Sequence, residues 1–407
     1  MKKIMVVDLG SAYAQMIARK IRSLKVYCEV VNNNAHIDKD TIGIVLAYGY
    51  KKSDKQFIKS HLPVLDLSKT TNINSDKLFK DFLFKKAKAK PTWTTANYVK
   101  MAIDQIKKDV GKQNVLCALS GGVDSAVTAA LIDKAIGKQL TCVFVDTGLL
   151  RKNEGNLVQE AFVKRTKAKF IKVDASDTFF KNLKGVTDPE AKRKIIGKTF
   201  IDVFKKATKQ IKNLKWLAQG TIYPDIIESG DKDNKVIKSH HNVGGLPKDL
   251  KLKLCEPLKY LFKDEVRVLG KEIGLPDKLI NRQPFPGPGI GVRVVNEVTR
   301  QKVKLVQESD AIVREEIEKA GLNKGLWQYF TILPGVKTVG CKNASRSYEY
   351  VVAIRIVKSV DAMTATWADI PSKILRKISN RICNEVNGIN RVVYDITDKP
   401  SGTIEWE

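Results

Sequence analysis

Residues Ser120 to Ser125 read SGGVDS, between an apolar run, Val115 to Leu119, and a small, apolar, helix-compatible stretch, Ala126 to Ile136. That order predicts a buried strand, a glycine turn and a helix start. Gly121 and Gly122 let the backbone close around an anion. The helix N-terminus that follows offers unpaired N–H groups and the positive end of a dipole. The hydroxyls of Ser120 and Ser125 add donors. Asp124 would repel a bare phosphate, so it suits a Mg²⁺ that arrives bound to one. The spacing is not that of G-x-x-x-x-G-K-[ST], and the loop has no lysine. An ordinary strand–helix turn needs neither both serines nor the aspartate.

The chain has 407 residues, enough for two or three domains with real cores. Its 43% hydrophobic content is that of a globular protein, and no apolar run approaches a membrane span. Met1 to Asp8 reads as a first strand and not a leader, so a cytoplasmic location is expected. The six cysteines (28, 117, 142, 255, 341, 383) form no C-x-x-C pair and there are four histidines, which argues against a zinc site. The net charge of +28 raises nucleic acid as a partner. The excess is spread over the whole chain, however (+10 in 1–90, +13 in 91–280, +5 in 281–407), and lysine outnumbers arginine 57 to 15. That pattern reads as a solvated basic surface, and no nucleic-acid partner is expected.

Three blocks follow from the patterning. Residues 1–90 carry short strand-like runs (Ile4 to Val7, Val26 to Val31, Ile42 to Ala47, Pro63 to Leu67) with helical stretches between, a small α/β unit. The lysine-rich FKKAKAKPTW, Phe84 to Trp93, reads as a linker. In residues 91–281, strands at Val115 to Leu119, Leu140 to Val145, Phe170 to Val173 and Trp216 to Gln219 alternate with helices. This predicts a parallel sheet with its ligands beyond the strand C-termini. Residues 282–407 open with PFPGPGIG, whose three prolines and three glycines exclude a helix or central strand, and continue as a mixed α+β module.

The loop resembles the pyrophosphate loop of the ATP pyrophosphatase superfamily, and further motifs narrow the resemblance. TCVFVDTGLLRKNEG (Thr141 to Gly155), VTDPEAKRKIIGKTF (Val186 to Phe200), QGTIYPDIIESG (Gln219 to Gly230), KSHHNVGGLP (Lys238 to Pro247), PFPGPGIGVRV (Pro284 to Val294), SVDAMTATW (Ser359 to Trp367), NRVVYDIT (Asn390 to Thr397) and the final KPSGTIEWE are similar to GMP synthase, in the same order, over nearly all of 93–407. The resemblance implies ATP-dependent amination of xanthosine 5′-monophosphate (XMP), with release of AMP and pyrophosphate and with Mg²⁺ as cofactor. It implies that Ser120, Gly121, Gly122, Val123, Asp124 and Ser125 hold the pyrophosphate, that Asp124 is the metal ligand, and that Val145 and the Asp146–Gly148 turn line the adenosine pocket. Lys238 is implied as a catalytic lysine in a lid. Arg193, Gln328, Arg391, Lys399, Thr403, Ile404 and Glu405 are the implied XMP contacts. The third block resembles the family's dimerisation domain, which implies a homodimer.

The N-terminal block departs from the family. Its opening, MVVDLGSAYAQMIARKIRSLKVYCEV, resembles the start of a glutamine amidotransferase. At the expected nucleophile elbow stands PVLDLSKTT, Pro63 to Thr71, with no cysteine and no flanking glycines. Residues 1–90 are therefore expected to be a degenerate remnant, 91–281 an ATP pyrophosphatase domain and 282–407 a dimerisation and XMP-binding domain. Ammonia would come free or from a separate glutaminase. Gln283 and Ser401–Gly402 also differ from the family's usual residues. The alternatives are another pyrophosphate-loop enzyme, such as an NAD synthetase or a tRNA-modifying enzyme, and a non-catalytic nucleotide-binding homologue.

Overall fold

The computed structural model describes residues 1–11, 13–49, 51, 55–69, 73, 75–209, 211–229, 252–342, 345–359 and 362–407. By packing, these fall into two compact units. One holds residues 1–109 with 220–229 and 257–274, and the other 110–219 with 252–256 and 275–407. The three blocks above divide the chain by motif, whereas these two units divide it by contact.

The first unit is built on four parallel strands, β1 (Lys3–Asp8), β2 (Cys28–Asn32), β3 (Thr41–Leu46) and β4 (Val64–Asp66), in the order β2-β1-β3-β4. Helix α1 (Tyr13–Ser23) buries Ala14, Ile17, Ala18 and Ile21 against them, an i, i+3, i+4, i+7 stripe. Tyr223 and Phe262, far along the chain, belong to the same core. Arg22 gathers these pieces. It donates from Nη1 to Tyr260 O at 2.6 Å and to Glu265 Oε2 at 2.8 Å, and from Nη2 to Cys28 O at 2.9 Å. Its guanidinium lies 4.5–5.4 Å from the ring centroids of Tyr27, Trp93, Tyr223 and Phe262, a cation–π cluster that suits a buried cation.

The stretch Phe84 to Trp93 is not the linker expected of it. Ala87, Ala89 and Trp93 are buried while Lys85, Lys86, Lys88 and Lys90 are exposed. Ala87 and Ala89 donate back to Phe82 O and Leu83 O, and Trp93 Nε1 donates to Glu265 at 2.6 Å. The alternation of alanine and lysine sorts the stretch into an inner and an outer edge, which composition alone does not reveal.

In the second unit, β5 (Asn114–Leu119), β6 (Leu140–Asp146), β7 (Lys169–Asp174), β8 (Leu214–Ala218) and β9 (Lys253–Cys255) form an all-parallel sheet ordered β7-β6-β5-β8-β9. The chain leaves β5 towards β6 and β7, then returns to β8 on the other side of β5. The C-terminal end of β5 is thus the switch point where such sheets bind ligands. A second sheet follows: β10 (Gln328–Ile332), β11 (Lys337–Lys342) and β14 (Ile389–Tyr394) all pair with the long β12 (Ser345–Lys358), and β13 (Thr366–Trp367) adds two residues. Val352, Ile354 and Ile356 share a core with Val306, Val313, Ile317, Ile378 and Ile382 of helices Arg300–Lys319 and Ser372–Glu385. The parallel α/β domain and the α+β module match the expected fold class. β11 and the start of β12 went unread because KTVGCK and SRSYE lack a clear apolar alternation.

Arg381 ties the two helices together. Its Nη1 reaches Glu315 at 2.9 Å and Glu316 at 2.6 Å, and its Nε and Nη2 grip the two oxygens of Glu385. Hydrogen bonds from Lys319 and Arg381 draw the Glu315 carboxyl down from 4.5 to about 2. A carboxylate with a depressed folded value contributes stability above its unfolded value and loses it as pH falls. The stability difference between the native chain and Arg381→Gln is therefore expected to be full above pH 4.5 and to vanish as pH approaches about 2. Denaturant unfolding across that range measures it.

Candidate active site

The SGGVDS loop lies at the C-terminal end of β5, and helix α2 (Val123–Ile136) starts directly after it. Gly121 sits at φ +78°, a region closed to most side chains, and a Cβ there would lie 3.0 Å from Glu154 Oε1. Gly122 is the extended residue before the helix and has no side chain to cap it. The Ser120 and Ser125 hydroxyls approach to 3.1 Å, and Ser125 Oγ donates to Gly122 O at 3.0 Å. Val123 is buried, and Asp124 stands half-buried in the first turn. From behind the loop, Arg282 Nη1 donates to Gly121 O at 2.6 Å, and its Nη2 pairs with Glu154.

The neighbouring turn follows β6. Gly148 N donates to Asp146 Oδ1 at 3.1 Å, and Gly148 adopts φ +74° against Ser176 and Phe180. The Val145 side chain lies in the apolar core. Buried Arg151 donates to Pro284 O at 3.2 Å and lies 4.3 Å from the Phe285 ring. Desolvation pulls the Arg151 guanidinium down to about 10. Gly289, at φ +64°, touches Leu149: a Cβ there would fall 2.3 Å from Leu149 O. The proline–glycine stretch is thereby held on the β6 turn.

On its other side that stretch borders a cavity of about 380 Å³ lined by Arg193, Pro284, Phe285, Pro286, Trp327, Gln328, Ala362, Lys399, Thr403, Ile404, Glu405 and Glu407. This is within the ~300–1,000 Å³ range of small-molecule clefts. One wall is the tail, anchored by buried cations. Arg293, fully buried, donates from Nε and Nη2 to the two Glu405 oxygens, both at 2.9 Å, while its Nη1 lies 3.7 Å from Asp310. Gln328 Nε2 donates to Pro284 O and to Glu405 Oε1, both at 3.1 Å. Lys192, also fully buried, donates to Val294 O and Asn296 O at 2.9 Å and to the Glu407 carboxylate. Arg193 donates to Glu407 O, and Lys399 Nζ to Ala362 O at 2.8 Å. The cavity thus offers cations at Arg193 and Lys399 and an amide and a carboxylate at Gln328 and Glu405, a set matched to an anionic, hydrogen-bonding ligand.

Arg193, Gln328, Lys399, Thr403, Ile404 and Glu405 therefore meet in one cavity. Arg391 is not among its lining residues: it is exposed on β14 and donates to Thr338 Oγ1 at 3.2 Å and Val339 O at 3.4 Å. Lys238, His240 and His241 lie outside the described residues. Sequence reasoning passed over Arg151, Glu154, Arg282, Arg293, Lys192 and Glu407. Arg293 stood inside a quoted motif, and its burial was the missing signal. The described residues hold no cluster of three or more His, Cys, Asp or Glu fit for a metal, and no described helix is long and apolar enough to cross a membrane.

A parallel sheet with a Ser-Gly-Gly loop at its switch point defines a nucleotide-binding α/β domain of the pyrophosphate-loop kind, and residues 95–193 match the NAD synthase family model. Residues 315–406 match the model of the GMP synthase C terminal domain, and the chain carries that domain behind the α/β one. The chain is 57% identical over 330 residues to the glutamine-hydrolysing GMP synthase of Limosilactobacillus reuteri (81% of this chain, 64% of that protein). It is 55% identical over 336 residues to that of Geobacillus kaustophilus (83% and 66%) and 55% identical over 332 residues to that of Clostridium acetobutylicum (82% and 65%). It spans slightly less than two-thirds of the length of these relatives. The resemblance read from the motifs is borne out.

Replacing Arg293 would leave Glu405 without the guanidinium that grips both its oxygens, and Asp310 with Arg314 alone. Arg293→Met is expected to lower stability by about 3–5 kcal/mol, and Arg293→Lys to recover only part, because a lysine cannot reproduce the two-point grip. Denaturant unfolding of the full chain measures both.

Proposed function

We propose that this chain makes GMP from XMP, ATP and ammonia. The observation that carries the reading is the cavity that brings six of the seven XMP-type residues together in the same packed unit as the pyrophosphate loop. Arg193 and Lys399 take the nucleotide phosphate, and Gln328 and Glu405 orient the purine edge. The donors of the Ser120–Ser125 loop receive the β- and γ-phosphates, where charge builds as pyrophosphate leaves. The C2 oxygen of the xanthine attacks the α-phosphorus, which turns a poor leaving group into AMP. Ammonia then adds at C2 and AMP departs.

Asp124, in the first turn of the helix that follows the Ser120–Ser125 loop, supplies a carboxylate of the kind that holds Mg²⁺, whose other ligands would come from phosphate and water. Bound there, Mg²⁺ would neutralise charge on the leaving pyrophosphate. A homodimer through residues 282–407 is proposed, as the resemblance of that block implies.

Residues 1–90 are proposed to be an amidotransferase remnant without glutaminase activity. Their cysteine, Cys28, is fully buried, donates to Ala18 O at 3.4 Å, and has its thiol pushed up to about 11 by desolvation. That is the reverse of an activated nucleophile. After β4, Asp66 Oδ1 accepts from Ser68 N and Oγ at 2.9 and 2.6 Å, an ordinary turn where an amidotransferase would place its elbow.

With XMP, ATP and Mg²⁺, the pure chain is expected to release AMP and pyrophosphate and to form GMP from ammonium and not from glutamine. Production of ADP would overturn the reaction, and robust GMP formation from glutamine would overturn the remnant reading. Asp124→Asn is expected to slow AMP formation by about 100-fold or more, read in the same assay by chromatography.

A further inference from the structure

In a trans peptide the carbonyl and the amide N–H point in opposite directions, so whatever holds the Gly121 carbonyl also aims the Gly122 N–H. Here that group is Arg282, whose Nη1 donates to Gly121 O at 2.6 Å while the Gly122 N–H points away, towards Ser120 Oγ at 3.3 Å. Arg282 is itself held. Its Nη2 pairs with Glu154 Oε1, and Glu154, buried, accepts the Arg151 N–H on its other oxygen at 3.0 Å. Both residues of the peptide are glycines, and glycine tolerates either orientation at little cost. Left unheld, the unit can turn over and present a carbonyl oxygen to the phosphates in place of a donor, exchanging attraction for repulsion.

We propose that Arg282 is a positioning residue for the nucleotide's outer phosphates: it locks the Gly121–Gly122 peptide with its N–H facing the anion, and Glu154 holds Arg282 to that task. The inference rests on Ser120–Ser125 being the phosphate loop for ATP. It differs from direct contact, in which the guanidinium itself would touch phosphate and Glu154 would merely compete for it.

The test is calorimetric titration of the full chain with Mg²⁺-ATP and with AMP, in the absence of XMP, alongside thermal unfolding. Arg282→Met is expected to weaken ATP by about tenfold and to leave AMP within about twofold, because AMP lacks the outer phosphates. Glu154→Gln is expected to weaken ATP by about threefold. Unchanged ATP affinity in Arg282→Met, equal losses for ATP and AMP, or tighter ATP binding in Glu154→Gln would each overturn the proposal. If Arg282→Met does not fold, Arg282→Lys decides, since one ammonium cannot serve both Gly121 O and Glu154: selective loss of ATP supports the proposal, and native ATP affinity overturns it. A native chain that binds ATP more tightly than AMP yet makes no AMP from ATP when XMP and ammonium are supplied would sink the proposed reaction and leave this inference standing. A native chain that binds the two equally would overturn the inference.

Discussion

Arg293 is the constraint on which the second unit depends. A guanidinium with no solvent contact is tolerable only where carboxylates and aromatic faces replace its water. Glu405 supplies a two-point grip, Asp310 lies at 3.7 Å, and the Phe330 ring centroid is 3.9 Å away. Those partners come from the tail, from helix Arg300–Lys319 and from β10, so one buried charge specifies how three separated segments assemble. It also explains how a stretch near the end of the chain becomes an ordered cavity wall. Buried Arg355 repeats the device nearby, donating to Thr397 O and to Thr403 O.

The proline–glycine stretch gains its role from the same geometry. Pro284 O accepts from Arg151 after β6 and from Gln328 at the start of β10. One carbonyl thus links the turn beside the pyrophosphate loop to the floor of the cavity. Proline and glycine restrict what the stretch can be, and the contact of Gly289 with Leu149 decides where it lies. For the proposed reaction between two nucleotides, rigid elements that reference both sites to one backbone atom would supply the positioning that catalysis needs.

The first unit is built around an α/β core of its own. Its parallel sheet is covered, and Arg22, ringed by Tyr27, Trp93, Tyr223 and Phe262, binds in segments from beyond residue 220. Such a cation costs stability if its partners leave. That is a physical reason for residues 1–109 and the segments beyond residue 220 to hold together as one packed unit.

Local pattern determined a good deal of this protein. The strand–SGGVDS–helix order, the alternation of strands with helices and the amphipathic stripe of α1 are short-range properties, and each stands where residues 115–136 and 13–23 placed it. Of the seven residues that motif similarity picked out as XMP contacts, six line one cavity and Arg391 does not. What the tertiary structure alone decided is pairing at a distance. Arg293 with Glu405, Arg282 with Glu154 and Gly121, and Lys192 with Glu407 are separated by 112, 128, 161 and 215 residues. The same holds for the alanine–lysine stretch at 84–93, which reads as a linker until Trp93 meets Glu265. A charged side chain carries no mark in the sequence of whether it will meet water or a partner. Burial settles that, and burial is a property of the folded chain.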